Sequence, residues 1–325
     1  MTKEMNNTAS EAAWELAIQY DERAKKALGY KTVLAFILSK AVEEFKGICV
    51  KDIAELIEGE IYVGKAPVDP GHTNKMNGER ITGLNTENAE ENEGLLRYDI
   101  LFRVRTPGDV KKSYGIIINI EMQKDKPTGY HLSNRAIFYA CRLISAQKQR
   151  EFEHMKFDNM VKVYSIWIVA NMESNSVNHI HFVQDTLYGT YKWTGDTNVI
   201  NIVIAGITGK PDELGEEINP AQADSVELCR MLNTLFAVKL DNRMRFQMLS
   251  DDFGIDIDKG LREEVEAMCN LGQGLLEKGV NKAQEEAIIN FYKVGVNVTV
   301  IAQAMGKTEE EIKKVLTDHG VNLDH

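Results

Sequence analysis

No apolar stretch of this chain approaches the roughly 20 residues that a helix needs to span a bilayer. The polar start from Met1 to Ser10 has neither the basic nor the apolar segment of an export signal. Both absences argue against a membrane or secreted protein, with no membrane partner, and lead us to expect a cytoplasmic address. Cysteine is sparse as well. Cys49, Cys141, Cys229 and Cys269 lie far apart without a CxxC pair, so neither a zinc knuckle nor a disulfide framework is suggested, and reduced thiols are the default. Positive charge is in deficit: 38 Lys and Arg face 49 Asp and Glu, a formal net charge of −11. So acidic a chain does not coat polyanions through its overall field, and any nucleic-acid contact has to come from a local basic patch. What remains, 43% hydrophobic and 27% charged residues over 325 positions, is an ordinary globular composition, long enough for one large domain with an appendage or for two domains.

The most informative stretch runs from Leu96 to Gln147. Between Arg97 and Arg105, alternation puts Tyr98, Ile100, Phe102 and Val104 on one side of a strand and Arg97, Asp99, Leu101, Arg103 and Arg105 on the other, mainly polar side. The run from Ile116 to Gln123 repeats the pattern, so that Glu121 and Gln123 project together. Pro107, Gly108 and Asp109 supply turn chemistry between the two runs, and a hairpin there lets Asp99 and Glu121 converge. Two carboxylates meeting beside a sheet repel unless a cation or a proton comes between them. Oxygen donors suit magnesium, which keeps several of its waters, whereas the lack of histidine in both strands argues against zinc. Gln123 cannot carry charge but can orient a water or a substrate. The same alternation also describes a strand face that is merely solvated.

A helix follows from His131 to Gln147. Arg135, Tyr139 and Arg142 recur on one face of it at intervals of four and three, available either to phosphate or to Asp99, Glu121 and neighbouring loops. Asp99, then Glu121-Met122-Gln123, then this helix resemble the PD-(D/E)XK nuclease superfamily, in particular its transposase-like, recombination-promoting branch. Arg97 to Phe102, Ile118 to Lys124 and Arg135 to Gln147 carry the resemblance, which extends from about Lys31 to about Gly206. It implies that Asp99 and Glu121 ligate Mg2+ or Mn2+ with the backbone carbonyl of Met122, and that Gln123 takes the catalytic position where the superfamily usually has lysine. That departure removes a cation from the reacting phosphate and implies slow or substrate-restricted catalysis. Arg135, Tyr139, Arg142 and Gln147 become substrate-binding candidates. The superfamily often adds an acidic ligand from a preceding helix, and Glu44 is the candidate, with a solvated helix end as the other reading.

Elsewhere the pattern gives mostly architecture. Trp14, Leu16, Ala17 and Tyr20 fit a docking N-terminal helix, Val33 to Val42 fit a buried helix from Lys31 to Phe45, and Lys51 to Ile57 fit a short one. Gly64 to Glu93 is turn-rich, with a strand start at Ile81 to Leu84, and reads as a substrate-facing loop or a solvated insertion. His131, at the start of the Arg135 helix, offers acid–base chemistry or a simple cap contact. Val161 to Ala170 reads as a strand buried on both faces, followed by strands at His179 to Val183 and Val199 to Ile204. His179 and His181 share a strand face without a third ligand nearby, a weak basis for a metal site. Trp167 and Trp193 read as packing residues. Past the acidic segment from Pro211 to Pro220, helices at Ser225 to Val238, Arg243 to Leu249 and Glu263 to Leu276 meet several glycines, including Gly260, Gly272, Gly274 and Gly279. Short or loosely joined helices are therefore expected. Near the C-terminus, Val298 to Met305 form a helix stopped by Gly306, Thr308 and Glu311 form a capping box, and Ile312, Val315 and Leu316 carry a last helix. The outline is that of a helix-turn-helix. Three glutamates at the start of the second helix suit the major groove poorly, so a homo-oligomer joined through this tail is preferred to DNA reading.

The expected fold is α/β: a restriction-endonuclease-like mixed sheet flanked by helices, with a helical C-terminal region. Residues 1–210 form the nuclease-like core with N-terminal helices, 211–280 a helical extension, and 281–325 a small helical tail. The expected function is that of a divalent-metal-dependent endonuclease hydrolysing DNA phosphodiester bonds, transposase-like or recombination-promoting. The alternative is a catalytically silent nuclease fold that binds DNA or protein.

Overall fold

The structure is a computed structural model that describes residues 2–63, 87–90, 94–108, 115–148, 152, 155–211 and 219–321. The strand start at Ile81 to Leu84, the turn residue Asp109 and most of the segment from Pro211 to Pro220 lie outside the described residues. In chain order the elements are α1 (Thr2–Leu28), α2 (Lys31–Ala41), α3 (Val50–Leu56), β1 (Ile57–Val63), β2 (Glu87–Glu90), β3 (Gly94–Arg97), β4 (Ile100–Val104), β5 (Ile116–Gln123), α4 (Leu132–Ser145), β6 (Val163–Val169), β7 (Ser176–His181), β8 (Ile200–Gly206), α5 (Ala223–Phe236), α6 (Asn242–Asp251), α7 (Lys259–Lys293), α8 (Val298–Met305) and α9 (Glu309–Asp318). The chain divides into two compact units, Asp21–Glu266 and Met1–Tyr20 together with Ala267–His325.

The first unit is built on a six-stranded sheet in the order β1-β4-β5-β6-β8-β7, with β2 and β3 forming a separate pair. The strands β5, β6 and β8 run parallel, while β1–β4, β4–β5 and β7–β8 are antiparallel. This is the mixed α/β sheet expected. Its central strands β5 and β6 are near-continuous runs of Ile, Val and other apolar residues because both of their faces are covered. On one face lies α4, whose Ala136, Tyr139, Ala140 and Leu143 pack on Leu101, Ile117, Val163, Trp167 and Ile202. Among the described residues no helix is long and apolar enough to cross a membrane.

Three expectations need correcting. The strand expected from Arg97 to Arg105 is broken: β3 stops at Arg97, Asp99 sits in a bend, and β4 starts at Ile100. The bend shifts the alternation by one residue, so Tyr98 joins Leu101 and Ile117 under α4 instead of siding with Ile100 and Phe102. Second, the polar side of these strands is not solvated, for Asn119 and Glu121 are 0% and 2% exposed beneath the helix. Third, α7 runs unbroken for 35 residues through Gly260, Gly272, Gly274 and Gly279. Each glycine weakens a helix by only ~1 kcal/mol, and strong formers such as Leu271, Leu275, Leu276 and Glu277 flank those in its middle. The strand β1 was not anticipated at all; it follows α3 with no punctuating turn, and its pairing with β4 is irregular between Glu58 and Tyr62, around Gly59.

The second unit has its own core of Ile288, Ile301, Ala302, Ile312 and Leu316. The Asn297 side chain accepts the Val300 N–H at the start of α8, Gly306 closes that helix at φ 62°, and the expected Thr308–Glu311 capping box opens α9.

Candidate functional site

The antiparallel register of β4 and β5 pairs Ile100 with Ile120, which sets Asp99 and Glu121 opposite one another at the next position. Two reciprocal hydrogen bonds lock them. The Asp99 N–H donates to Glu121 Oε1 at 3.1 Å, and the Met122 N–H donates to Asp99 Oδ2 at 2.9 Å. The bend that interrupts the first strand is what frees the Asp99 amide and carboxylate to turn toward β5 in this way.

A third element arrives that the sequence reading did not place here. From α1, the Lys25 ammonium donates to Asp99 Oδ1 at 2.8 Å and to Asp21 Oδ2 at 2.6 Å. Asp21 and Lys25 are spaced as an ordinary i, i+4 helix pair, and nothing in that spacing signals a long-range partner. Burial, and after it the Asp99 charge, push the Glu121 carboxyl well above the usual glutamate range; the Asp99 N–H, Arg135 and Lys25 oppose this without reversing it. Burial by itself lowers the Lys25 pKa, but Asp99 and Asp21 more than offset that and leave it raised. The Asp21 carboxyl is raised by burial, against the pull of Lys25.

Gln123 ends β5 on the same strand face as Glu121, half-buried, while Lys124 beside it is exposed. Arg135 approaches from α4. Its two terminal nitrogens donate to Tyr130 Oη at 2.6 Å and Tyr139 Oη at 2.9 Å. Its guanidinium lies 5.0, 5.3 and 5.7 Å from the ring centres of Tyr139, Trp167 and Tyr130. Trp167 is the β6 neighbour of Glu121, which brings this caged arginine to the carboxylate pair.

Of the remaining candidates, Tyr139 stands beside the site and the others lie apart from it. Tyr139 is buried, stacked edge-on against Tyr98 and Trp167, with its phenol raised by burial. Arg142 is only 5% exposed, too enclosed to meet a DNA backbone. Gln147 is buried and clamps Val161 at both ends, donating to its carbonyl at 2.8 Å and accepting its N–H at 2.7 Å. Gln147 thus ties the end of α4 to the start of β6. Glu44 accepts hydrogen bonds from Lys162 Nζ and Tyr164 Oη at 2.7 and 2.9 Å. Tyr164 pairs with Ile118, on the opposite sheet face from Glu121 and nearer the start of the parallel strands, so Glu44 does not join the pair. His131 makes no side-chain cap bond. His179 and His181 stack 4.7 Å apart, and His179 Nε2 hydrogen-bonds Asn201 Oδ1. Trp167 is fully buried as expected, but Trp193 is 77% exposed beside Tyr191 and is not a packing residue.

Among the described residues no group of three or more His, Cys, Asp and Glu side chains is arranged to hold a metal. The Asp99–Glu121 pair nevertheless fits a hard divalent cation. Both donors are oxygen, the buried Glu121 carboxyl sits beside a like charge that a cation would relieve, and an ion that retains waters needs few protein ligands. Residues 79–187 match the family model of PD-(D/E)XK nuclease family transposases, a span that contains Asp99, Glu121, Gln123 and the whole of α4. No curated protein and no solved structure matches the chain. Nucleases of this family generally use divalent metal ions and act on DNA.

Proposed function

From the premise that residues 79–187 carry a PD-(D/E)XK nuclease family transposase pattern, we propose that this protein is a magnesium-dependent endonuclease that hydrolyses DNA phosphodiester bonds in a transposase-like or recombination-promoting reaction. The observation that carries the reading is the reciprocal locking of Asp99 and Glu121 across the β4–β5 hairpin. These two side chains and the Met122 carbonyl would hold Mg2+ or Mn2+, which when bound supplies an activated water and offsets the charge developing on the attacked phosphate.

The chain's own residues do the positioning. Backbone amides fix one oxygen of each carboxylate, so little reorganisation is left for the reaction itself. Gln123, one strand repeat beyond Glu121, can donate from its amide nitrogen and accept at its oxygen, which orients a water or a phosphate oxygen without adding charge. Arg135 keeps positive charge near Glu121, held there by its tyrosines. Gln123 is also the observation that favours a second reading, a catalytically silent nuclease fold that binds DNA or protein, since the site's own strand offers no cation.

Incubation of the purified protein with plasmid and linear DNA, with Mg2+, Mn2+ or a chelator, separates the two. The proposal expects metal-dependent cleavage that falls at least 100-fold in Glu121→Ala. Equal cleavage by wild type and Glu121→Ala defeats it, and DNA binding without cleavage under every metal supports the silent fold.

A further inference from the structure

Resting on the nuclease reading above, we propose that Lys25 carries the site's positive charge to the substrate: Asp21 and Asp99 hold its ammonium, and its third N–H donates to a phosphodiester oxygen bound beside the carboxylate pair. An ammonium has three donors. Two are taken, by Asp21 Oδ2 at 2.6 Å and Asp99 Oδ1 at 2.8 Å, and the third has no partner among the described residues. The Lys25 side chain is 16% exposed, enclosed enough to be held and open enough to be reached.

The neighbouring cations do not offer the same. Arg135 spends its terminal nitrogens on two tyrosine hydroxyls and sets its plane among three aromatic rings. Arg142, on α4 itself, is buried, and Lys162 is engaged by Glu44 on the far sheet face. A phosphodiester arriving here adds a negative charge to those of Asp99 and Glu121, and a positioned cation lowers the energy of that convergence, most of all as charge grows in the transition state. Asp21 takes up one N–H and so fixes the direction of the other two. Asp99 thereby has a double part, with Oδ2 bound to the Met122 amide and Oδ1 to the Lys25 ammonium.

The experiment compares wild type, Lys25→Met and the double variant Lys25→Met/Gln123→Lys by thermal melting, by calorimetric Mn2+ titration without DNA, and by steady-state cleavage. For Lys25→Met the proposal expects kcat to fall at least 100-fold while the Mn2+ dissociation constant stays level or tightens, because a competing positive charge has left Asp99. A lysine returned at position 123, from the strand face of Glu121, should restore at least tenfold of the lost kcat, which the mere repair of an α1 tether cannot do. Lys25→Met cleavage within threefold of wild type, with Glu121→Ala inactive, overturns the role of Lys25 and leaves the nuclease reading standing. A wild type that cleaves no DNA overturns both. If Lys25→Met does not fold, Lys25→Arg decides. It keeps both ion pairs, so a tether predicts unchanged kcat, whereas the proposal predicts at least a tenfold fall as the planar guanidinium misplaces the third donor.

Discussion

Glu121 is a carboxyl that the fold has put under α4 and beside Asp99, and its titration is the most direct residue-scale consequence. Burial and then Asp99 raise its pKa above the ordinary 4.5. The folded protein therefore holds this proton more tightly than the unfolded chain does. The contribution to stability is fully present below the unfolded value and is lost as the pH rises through the raised folded one. Glu121→Gln keeps the shape and removes the ionisation. Without divalent metal, its thermal midpoint should match wild type in mild acid and exceed it increasingly toward neutral pH, whereas added Mg2+ should stabilise wild type alone. Melting curves across that range test this, and midpoints that stay parallel with pH contradict it. Asp99 is a poorer target for truncation, since Asp99→Ala also leaves the Met122 amide without its acceptor and Lys25 with Asp21 alone.

At the scale of elements, what could be read in the sequence was local. β5 stands at the residues its alternation predicts, α4 differs from expectation by a residue or two at its ends, α9 opens on the expected capping box, and the hairpin that joins Asp99 to Glu121 follows from two strands and a turn. What was not legible depended on tertiary partners. The bend at Asp99 is held by the Met122 amide on another strand, and no local propensity announces it. Lys25 reaches Asp99 from a helix whose polar spacing looks like any solvated face. Glu44 was near the expected position along the chain yet lies across the sheet, because the short 3-10 turn after α2 meets Tyr164 rather than Glu121. Gln147 shows the same lesson on α4: a polar residue at the end of an arginine-bearing helix reads as a ligand contact, and it is a clamp. Gln147→Ala leaves the buried N–H and carbonyl of Val161 unpaired, which should cost roughly 1–3 kcal/mol of stability. Chemical denaturation of the variant measures this, and an unchanged midpoint would contradict the clamp.

For the molecule as a whole, an acidic chain gathers two carboxylates at one enclosed place, each held there by a backbone amide. The net −11 is spread over the sequence, but at the β4–β5 hairpin two carboxylates meet in a largely enclosed place, with Lys25 and Arg135 close by. Without a metal, a proton on Glu121 and the Lys25 ammonium relieve the repulsion, and we propose that a divalent cation takes the proton's place when it binds. For the α8–α9 tail, whose last helix opens on three glutamates, we propose joining of subunits rather than reading of DNA. Calorimetric titration of Mn2+ and Mg2+ into wild type, Asp99→Asn and Glu121→Gln, without DNA and under conditions where all three are folded, tests metal binding by the pair most directly. Wild type should show a saturable site whose affinity drops at least tenfold in each variant. Equal binding by wild type and Glu121→Gln would contradict it.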